Sequence, residues 1–335
     1  MAQAWTAVGV QLNGYVYALC VYKNELYAGG SFTEADGNPA PFIAKWSGRH
    51  WATVGVGMNG KVKTLCVYNG ELYAGGEFTT AGYAEATYIA KWNGKNWSGL
   101  GSGANGSVYC MAIFKDELYV GGAFINAGNK ETGHLAKWDG KDWSYTGKTM
   151  NSDVGALLGC DSVLYVGPGL TGPNGLPQAK IEAFDGANWS FVGDNTLAGV
   201  SSLAVYGGQL YSGGKFDLKT DDGDQVAYIA MWDGKNWLDV GKGTNDLVMS
   251  LLVSDDVLYA SGTFNKAGKT DADYVATWNG SNWQSLGLSI NNFVLTLCNY
   301  KGDLYAGGSF TTTGNHSNYI AKWTAGKNKK KVTGR

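Results

Sequence analysis

The stretch Leu72-Tyr73-Ala74-Gly75-Gly76, followed by Ile89-Ala90-Lys91-Trp92 and by Trp97, is one copy of a unit that recurs along the chain. Its leucine occurs seven times at spacings of 46, 46, 46, 46, 48 and 46 residues, at Leu26, Leu72, Leu118, Leu164, Leu210, Leu258 and Leu304. An aromatic residue follows each glycine pair, at Trp46, Trp92, Trp138, Phe184, Trp232, Trp278 and Trp323. A second tryptophan follows five residues later, at Trp51, Trp97, Trp143, Trp189, Trp237 and Trp283. A repeat of this length decides the architecture before any domain count from length does.

Each unit predicts four short strands. In the second unit, residues 61–68 alternate and are rich in β-formers, and Asn69-Gly70 is a hairpin turn. Residues 71–78, 88–92 and 97–100 are the next three strands, with a loop to about Thr87 and a turn at Asn93-Gly94. Because no stretch has a 3.6-residue apolar period, we predict no helices.

Seven units of four antiparallel strands predict an all-β fold, a seven-bladed β-propeller. The seventh unit ends after Trp323 without its second tryptophan, whereas Ala4-Trp5-Thr6-Ala7 matches the fourth strand of the other units. We therefore expect the N-terminal strand to close the last blade, which removes the exposed sheet edges that a linear solenoid would have to cap. Residues 1–324 are predicted to form this single domain, and residues 325–335 a basic, disordered tail.

Composition agrees with this fold and excludes several others. The 335 residues include 51 glycines, 13 tryptophans and 20 tyrosines, and the net charge is only −2. A hydrophobic content of 44% excludes a disordered acidic or basic chain, and the 5 prolines exclude collagen. No apolar run reaches the length of a membrane helix. Near-neutral charge creates no field for nucleic acid or anionic membranes, so we expect neither as a partner.

Phrases such as Leu26-Tyr27-Ala28-Gly29-Gly30-Ser31-Phe32-Thr33 and Ile43-Ala44-Lys45-Trp46 resemble kelch-type repeats, which carry a glycine doublet on their second strand. They are most similar to the kelch-like repeats of fungal cortical polarity-marker proteins and bacterial surface proteins. The likeness covers residues 4–323, although the aromatic spacing and the uniform 46-residue period depart from kelch proper. The resemblance implies a seven-bladed propeller used as a binding platform, without implying one ligand.

The sequence offers no recognisable catalytic constellation. The five cysteines (Cys20, Cys66, Cys110, Cys160 and Cys298) lie at even offsets from the leucine of their unit, so we expect them on one face of the innermost strands as small core residues. The three histidines belong to different units, and no zinc spacing or nucleophile motif accompanies them. The Gly-x-Gly-x-x-Gly matches at Gly55 and Gly101 precede no helix, so we interpret them as turns between blades. We expect no enzyme and no cofactor.

Two groups of residues are candidates for ligand binding. One asparagine recurs between blades, at Asn13, Asn59, Asn105, Asn151, Asn245 and Asn291, with Leu197 at the seventh position. These asparagines either cap local turns or form a ring of amides that binds a polar ligand such as a sugar. The acidic loop with Asp221, Asp222 and Asp224 is either a solvated loop or a Ca²⁺ site, although it lacks the glutamate of an EF-hand.

Function is expected in residues that break the repeat. The loops between second and third strands, residues 34–41, 80–87, 126–133, 171–179, 219–227, 266–273 and 312–318, vary most and emerge on one face. Unit four departs furthest, with Gly167-Pro168-Gly169 and Phe184. We predict a monomeric, non-catalytic module whose loop face binds a protein or surface partner. The alternatives are a multivalent lectin, because tachylectin-type propellers have similar units, and an enzyme using carboxylates at the channel. The compartment stays open, because no signal peptide is visible, buried thiols favour the cytoplasm and the resemblance favours a cell surface.

Overall fold

The computed structural model describes residues 4–169, 180–193, 197, 199–219, 225–287, 289–311 and 319–324. These residues form seven four-stranded antiparallel sheets arranged as a β-propeller, and none of them is helical. The inner strands of neighbouring blades contact one another all the way round, including those of the seventh and first blades. Within the described ranges there is no helix that is long and apolar enough to span a membrane.

Each blade consists of an inner, a second, a third and an outer strand. The inner strands are Val16–Tyr22, Val62–Tyr68, Val108–Phe114, Val154–Cys160, Val200–Tyr206, Val248–Ser254 and Val294–Tyr300. The second strands are Glu25–Gly30, Glu71–Gly76, Glu117–Gly122, Val163–Pro168, Gln209–Lys219, Val257–Gly262 and Asp303–Gly308. The third strands are Ile43–Trp46, Ile89–Trp92, Leu135–Trp138, Glu182–Phe184, Gln225–Trp232, Val275–Trp278 and Ile320–Thr324. The outer strands are Trp51–Thr53, Trp97–Gly99, Trp143–Tyr145, Trp189–Phe191, Trp237–Asp239, Trp283–Ser285 and, for blade seven, Ala4–Ala7.

The N-terminal strand closes the ring, as predicted. Ala4–Ala7 pairs antiparallel with Ile320–Thr324, with Trp5 directly opposite Trp323. The two indole rings lie 5.5 Å apart, and Trp5 is buried in the core of blade seven. Strands from the two ends of the chain therefore share one sheet.

The loop between second and third strands is more ordered than the sequence predicts. In blades one, two, three and six it contains a two-residue hairpin: Glu34–Ala35 with Asn38–Pro39, Thr80–Ala81 with Ala84–Glu85, Asn126–Ala127 with Lys130–Glu131, and Lys266–Ala267 with Thr270–Asp271. The predicted strand over residues 88–92 begins one residue later, because Tyr88 has a φ of 64°. Its N–H donates to the carbonyl of Phe78, which closes the loop. The second strand accordingly ends at Gly76 rather than at Phe78.

A tryptophan side chain links each of the first six blades to the preceding blade by a hydrogen bond. The indole N–H of the outer-strand tryptophan donates to a backbone carbonyl of the preceding blade at distances from 2.8 to 3.4 Å. These bonds run from Trp51 to Val8, Trp97 to Val54, Trp143 to Leu100, Trp189 to Thr146, Trp237 to Val192 and Trp283 to Val240. The repeated tryptophans therefore build the interfaces between blades rather than an exposed aromatic surface.

The first glycine of each doublet allows neighbouring blades to approach. A Cβ atom at this position would lie 2.4–2.6 Å from a Cγ1 atom of the first valine in the next inner strand, which is closer than real Cβ contacts. The pairs are Gly29 with Val62, Gly75 with Val108, Gly121 with Val154, Gly167 with Val200, Gly213 with Val248 and Gly307 with Val16. Blade six has Ser261 instead, and its buried hydroxyl has no hydrogen-bond partner.

The cysteines lie where the sequence predicts small core residues. Cys20, Cys66, Cys110 and Cys298 pack against the core of the following blade, and all five cysteines are free thiols. Burial raises the pKa of Cys66 and of Cys298 to about 11, so these thiols are protonated at neutral pH.

Candidate functional site

The first two positions of the inner strand differ in how much they vary between blades. The first is valine in all seven blades, and it is fully buried at the blade interface. The next residue changes from blade to blade and takes six identities in seven copies: Tyr17, Lys63, Tyr109, Gly155, Ser201, Met249 and Leu295. A repeat that keeps one position and varies its neighbour indicates that the variable position serves something other than the fold.

A β-bulge directs this variable residue into the central channel. In every blade the pairing register shifts across it, as between Val16 and Ala18 in blade one. In six blades the second glycine of the doublet lies against the bulge, where a Cβ atom would be 1.8–2.2 Å from the backbone oxygen two residues before the variable one. Blade four has Pro168 at this position and retains the bulge. Bulges commonly re-aim a side chain next to a functional site. The glycine doublet therefore serves both the blade contact and the channel lining.

The seven variable residues surround one cavity of about 530 Å³, hereafter the mouth, which Asp153, Gly169 and Val200 also line. The mouth lies at the end of the channel where the blade-linking loops and the second-to-third loops emerge, hereafter the loop face. Its volume is in the range of ligand-binding clefts. Because the seven positions carry six different residue types, the mouth has no sevenfold symmetry.

Charge at the mouth is concentrated on one side. The Lys63 ammonium lies 4.3 Å from the ring centroid of Tyr17 and 3.3 Å from a carboxylate oxygen of Glu77. Burial, followed by the negative charge of Asp153, raises the pKa of the Tyr109 phenol, which therefore stays protonated at neutral pH. On the other side, Met249 and Leu295 are uncharged. A partner thus meets a polar sector and an apolar sector.

Exposed apolar side chains are concentrated on the loop face. Of the eleven large apolar residues exposed in the described part of the chain, nine lie there, and only Ile113 and Val253 lie towards the opposite face. The nine are Val10, Tyr15, Val56, Tyr83, Tyr109, Ile125, Tyr145, Phe191 and Phe293. Such a one-sided distribution is typical of an interaction surface.

The predicted asparagines lie beside the mouth, where the structure shows them capping loops. The side-chain oxygen of Asn59 accepts from the N–H groups of Thr79 and Thr80 at 2.8 and 2.9 Å, and its amide donates to the Thr79 hydroxyl at 2.8 Å. Equivalent bonds are made by Asn13, Asn105, Asn245 and Asn291. Asn151 is exposed. These bonds support the local role, and ligand binding by the ring stays a prediction.

Blade four adds a recess that the other blades lack. Six third strands have a buried alanine where blade four has Glu182, whose side chain is 9% exposed. Lys148 donates to the Glu182 carboxylate, and its ammonium lies 4.9 Å from the ring of the exposed Phe191. A cavity of about 90 Å³ beside this pair is also lined by Asp153, through which it adjoins the mouth. The charged recess and the mouth are therefore neighbouring cavities that share Asp153 in their linings.

His134 supports the wall between the two. Its Nδ1 atom lies 3.5 Å from a carboxylate oxygen of Asp153, and its backbone has a φ of 69°. The corresponding residues in five other blades have φ between 64° and 69°, at Phe42, Tyr88, Tyr228, Tyr274 and Tyr319. The histidine therefore occupies a repeated structural position, as the sequence suggests, but in this blade it also contacts a carboxylate of the mouth.

The remaining predicted ligand residues belong to the acidic loop of blade five. Asp221, Asp222 and Asp224 lie outside the described residues, as do the tail and the loops at 171–179 and 312–318. Among the residues that are described, no group of three His, Cys, Asp or Glu side chains could hold a metal ion. The sequence did contain a signal for the mouth, namely a variable residue after an unvarying valine, but only the bulge shows where that residue points.

Comparisons with known proteins support the fold. The WD40 propeller domain of Doa1 aligns over 98% of both chains with a TM-score of 0.60 and 15% identity. The computationally designed Ika8 protein aligns over 97% of this chain and 100% of its own with a TM-score of 0.58 and 15% identity. YCF48 from Cyanidioschyzon merolae aligns over 96% and 98% with a TM-score of 0.55 and 10% identity. No family model and no curated protein matches the sequence.

Proposed function

We propose that this propeller is a non-catalytic binding module that holds a protein partner on its loop face, centred on the mouth. The observation that carries the proposal is the set of mouth residues, which has six identities in seven blades directly after a valine that every blade keeps. The nine exposed apolar residues on the same face support it, because such patches on soluble proteins mark interaction sites. We also propose that the repeats are kelch-like, because the kelch-type resemblance implies a propeller that serves as a binding platform.

The same observation makes one asymmetric partner a better proposal than a multivalent lectin. Equivalent sugar sites would require the same side chains in every blade, whereas the mouth residues differ and the repeated asparagines are engaged in capping loops. A protein surface with one apolar and one polar patch fits the Met249–Leu295 side and the side of Tyr17, Lys63 and Tyr109 together. The proposed module acts as a monomer and needs no cofactor.

Site-specific photocrosslinking in extracts of the source organism tests this proposal. A benzoylphenylalanine is placed at position 17 or 109 of the mouth, and matched controls carry it at position 113 or 253 near the opposite face. We expect one protein to be captured from the mouth positions only. The captured protein, purified, should bind the intact chain and lose at least about tenfold in affinity on Tyr17→Ala, since a central aromatic contact is commonly worth roughly 2 kcal/mol.

Two results would contradict the proposal. The first is equal capture at both faces, or capture that Tyr17→Ala does not weaken in the purified complex. The second is a glycan array on which the chain binds with several equivalents while no protein is captured, which would favour the lectin. Light scattering of the free chain at micromolar concentration tests the proposal that it is a monomer.

A further inference from the structure

A second cavity, larger than the mouth and independent of it, opens in the groove between blades five and six. It has a volume of about 870 Å³, and its lining includes Tyr206, Gln209, Tyr211, Met231 and Trp278. These residues belong to the inner, second and third strands of blade five and to the third strand of blade six. The lining also includes Asp239, Val240 and Gly241, at the end of the outer strand of blade five and the start of the loop that follows it, whereas none of the repeated asparagines lines the cavity.

In four other blades the corresponding groove is filled by an ion pair. A lysine of the third strand pairs with an acidic residue of the second strand, at nitrogen–oxygen distances of 2.7–3.4 Å. The pairs are Lys45 with Glu25, Lys91 with Glu71, Lys137 with Glu117, and Lys322 with Asp303. Blade five replaces both partners, with Met231 in place of the lysine and Gln209 in place of the acid.

A second cation is missing from the same groove. In blade one, the Lys23 ammonium donates across the groove to the carbonyl of Asn93 at 3.4 Å, and in blade three Lys115 donates to Asp185 at 2.5 Å. The equivalent residue of blade five is Gly207, and the turn that it faces begins at Asn279. That turn also has Ser281 where blades two and three have lysine. Every position that supplies a cation to the other grooves is therefore neutral here.

The aromatic lining is retained although the charges are lost. The rings of Tyr206 and Tyr211 lie 5.9 Å apart in an edge-to-face arrangement, like the pairs in the ion-paired blades. Blades four and six also lack the ion pair, but they have Cys160 and Ser254 in place of the first aromatic. Within the described residues, blade five combines an aromatic pair with the loss of the lysine–acid pair. The charged residues in its lining are Asp239 and Asp256.

We propose that this groove binds a neutral saccharide, one or two pyranose rings in size. Tyr206 is half-buried in the lining, and its ring can pack against the C–H face of a pyranose, while Tyr211 and Trp278 line the cavity as buried side chains. Gln209 offers a donor and an acceptor, Ser281 a hydroxyl and Asp256 a carboxylate, which together match hydroxyl groups that both donate and accept. No lysine or arginine lines the cavity, and Asp256 disfavours anions, so a phosphate or an acidic sugar is a poorer fit.

Methyl-labelled methionine NMR tests this proposal with a reporter in each region. The Met231 methyl reports on the groove, Met249 on the mouth and Met150 on the blade-four recess. The probes are methyl glucoside, methyl galactoside and N-acetylglucosamine, each titrated to 50 mM. We expect at least one probe to shift the Met231 signal saturably while the other two signals stay in place. No shift at Met231 with any probe, or a shift at Met249 instead, would overturn the proposal.

The matched control is a variant in which charged side chains are introduced into the groove. Gly207→Lys with Gln209→Glu introduces the turn lysine and the acidic residue of blade one and keeps Met231 as reporter. Lysine is compatible with the turn, because Lys23 and Lys115 adopt the same positive φ of 47° and 49°. We expect at least tenfold weaker saccharide binding with an unchanged melting temperature. Undiminished binding would contradict the proposal.

The converse variant opens the groove between blades one and two with Lys23→Gly, Glu25→Gln and Lys45→Met. Tyr22, Tyr27 and Trp92 already provide its aromatic lining. We expect a second saccharide equivalent, reported by the added methyl signal. A folded variant whose added methyl does not respond would show that loss of charge is insufficient to create the site. Because the mouth is untouched, failure of either variant leaves the proposed protein partner to its own crosslinking test.

Discussion

Blade two and blade four have the same four strands, but they differ in almost every interaction that surrounds them. Blade two has the Lys91–Glu71 pair, two tilted indoles 5.3 Å apart and a glycine doublet. Blade four has no such pair, stacks Phe184 on Trp189 at 4.6 Å and has Pro168 in the doublet. Its charges lie instead in the recess beside the mouth. The strand framework thus tolerates the loss of these contacts.

Closure of the ring is the contact whose loss should cost most, because every other blade holds its four strands from one continuous segment. Trp5→Ala removes a buried indole from blade seven and should lower the free energy of unfolding by about 3–5 kcal/mol. Deletion of residues 1–9 should cost more, since it exposes the edge of Ile320–Thr324. Urea unfolding measures both. A melting temperature unchanged by the deletion would contradict closure by this strand.

The buried ion pair of blade four is the next largest difference from the regular blades. Lys148→Met leaves the Glu182 carboxylate buried without its cation and should destabilise the chain by about 3 kcal/mol. The double variant Lys148→Met with Glu182→Ala restores the alanine of the other blades and should be close to neutral. Equal losses in the single and double variants would show that the pair is not coupled. Chemical denaturation with a double-mutant cycle separates these outcomes.

A structural feature could be predicted from the sequence where the residues that determine it recur in every unit. The seven blades, their four strands and the closing strand follow from glycine, tryptophan and turn positions that recur, so each copy confirms the others. The start of the third strand could not be placed, because the positive φ of Tyr88 depends on its bond to Phe78 across a closed loop. Both residues lie in one unit, but their spacing in sequence does not show that the loop between them closes.

The candidate regions were harder to predict for a related reason. Tyr17 and Lys63 look like ordinary strand residues until the bulge shows that they point into the channel. The blade-five groove results from the absence of charges at Gly207, Gln209 and Met231, which lie up to 24 residues apart in sequence. Absences of this kind become visible only when the contacts they replace, such as Lys45 with Glu25, are known.

A smaller change in stability is expected at the first glycine of the doublet, where substitutions can be made in both directions. Gly75→Ser would place a Cβ 2.4 Å from a Val108 methyl and should cost about 2 kcal/mol by overpacking. The reverse change in blade six, Ser261→Gly, removes a buried hydroxyl without a partner and should be neutral or stabilising. Thermal unfolding of both variants tests the assignment. If Ser261→Gly destabilised the chain as much as Gly75→Ser, the glycine would not be needed for blade contact.

The smallest expected effect is a difference between blades in how their stability depends on pH. In blades three, four and five the turn before the outer tryptophan begins with Asp139, Asp185 or Asp233, whereas blades two and six use asparagine. Each carboxylate accepts from two backbone N–H groups, which lowers its pKa below the ordinary 3.8. The charged form therefore stabilises the fold fully above pH 3.8, and this contribution is lost as the pH falls through the lowered pKa.

Replacing all three aspartates by asparagine keeps the turn, because Asn93 accepts the same two bonds in blade two at 2.8 Å each. The variant should resemble the wild type closely at pH 7 and lose less of its melting temperature between pH 5 and pH 2.5. The effect is small because the three carboxylates are fully exposed. Asn93→Asp should do the reverse and add acid sensitivity to a blade that lacks it. A difference between wild type and variant that stays constant with pH would mean that the turn bonds, rather than the charge on them, distinguish these blades.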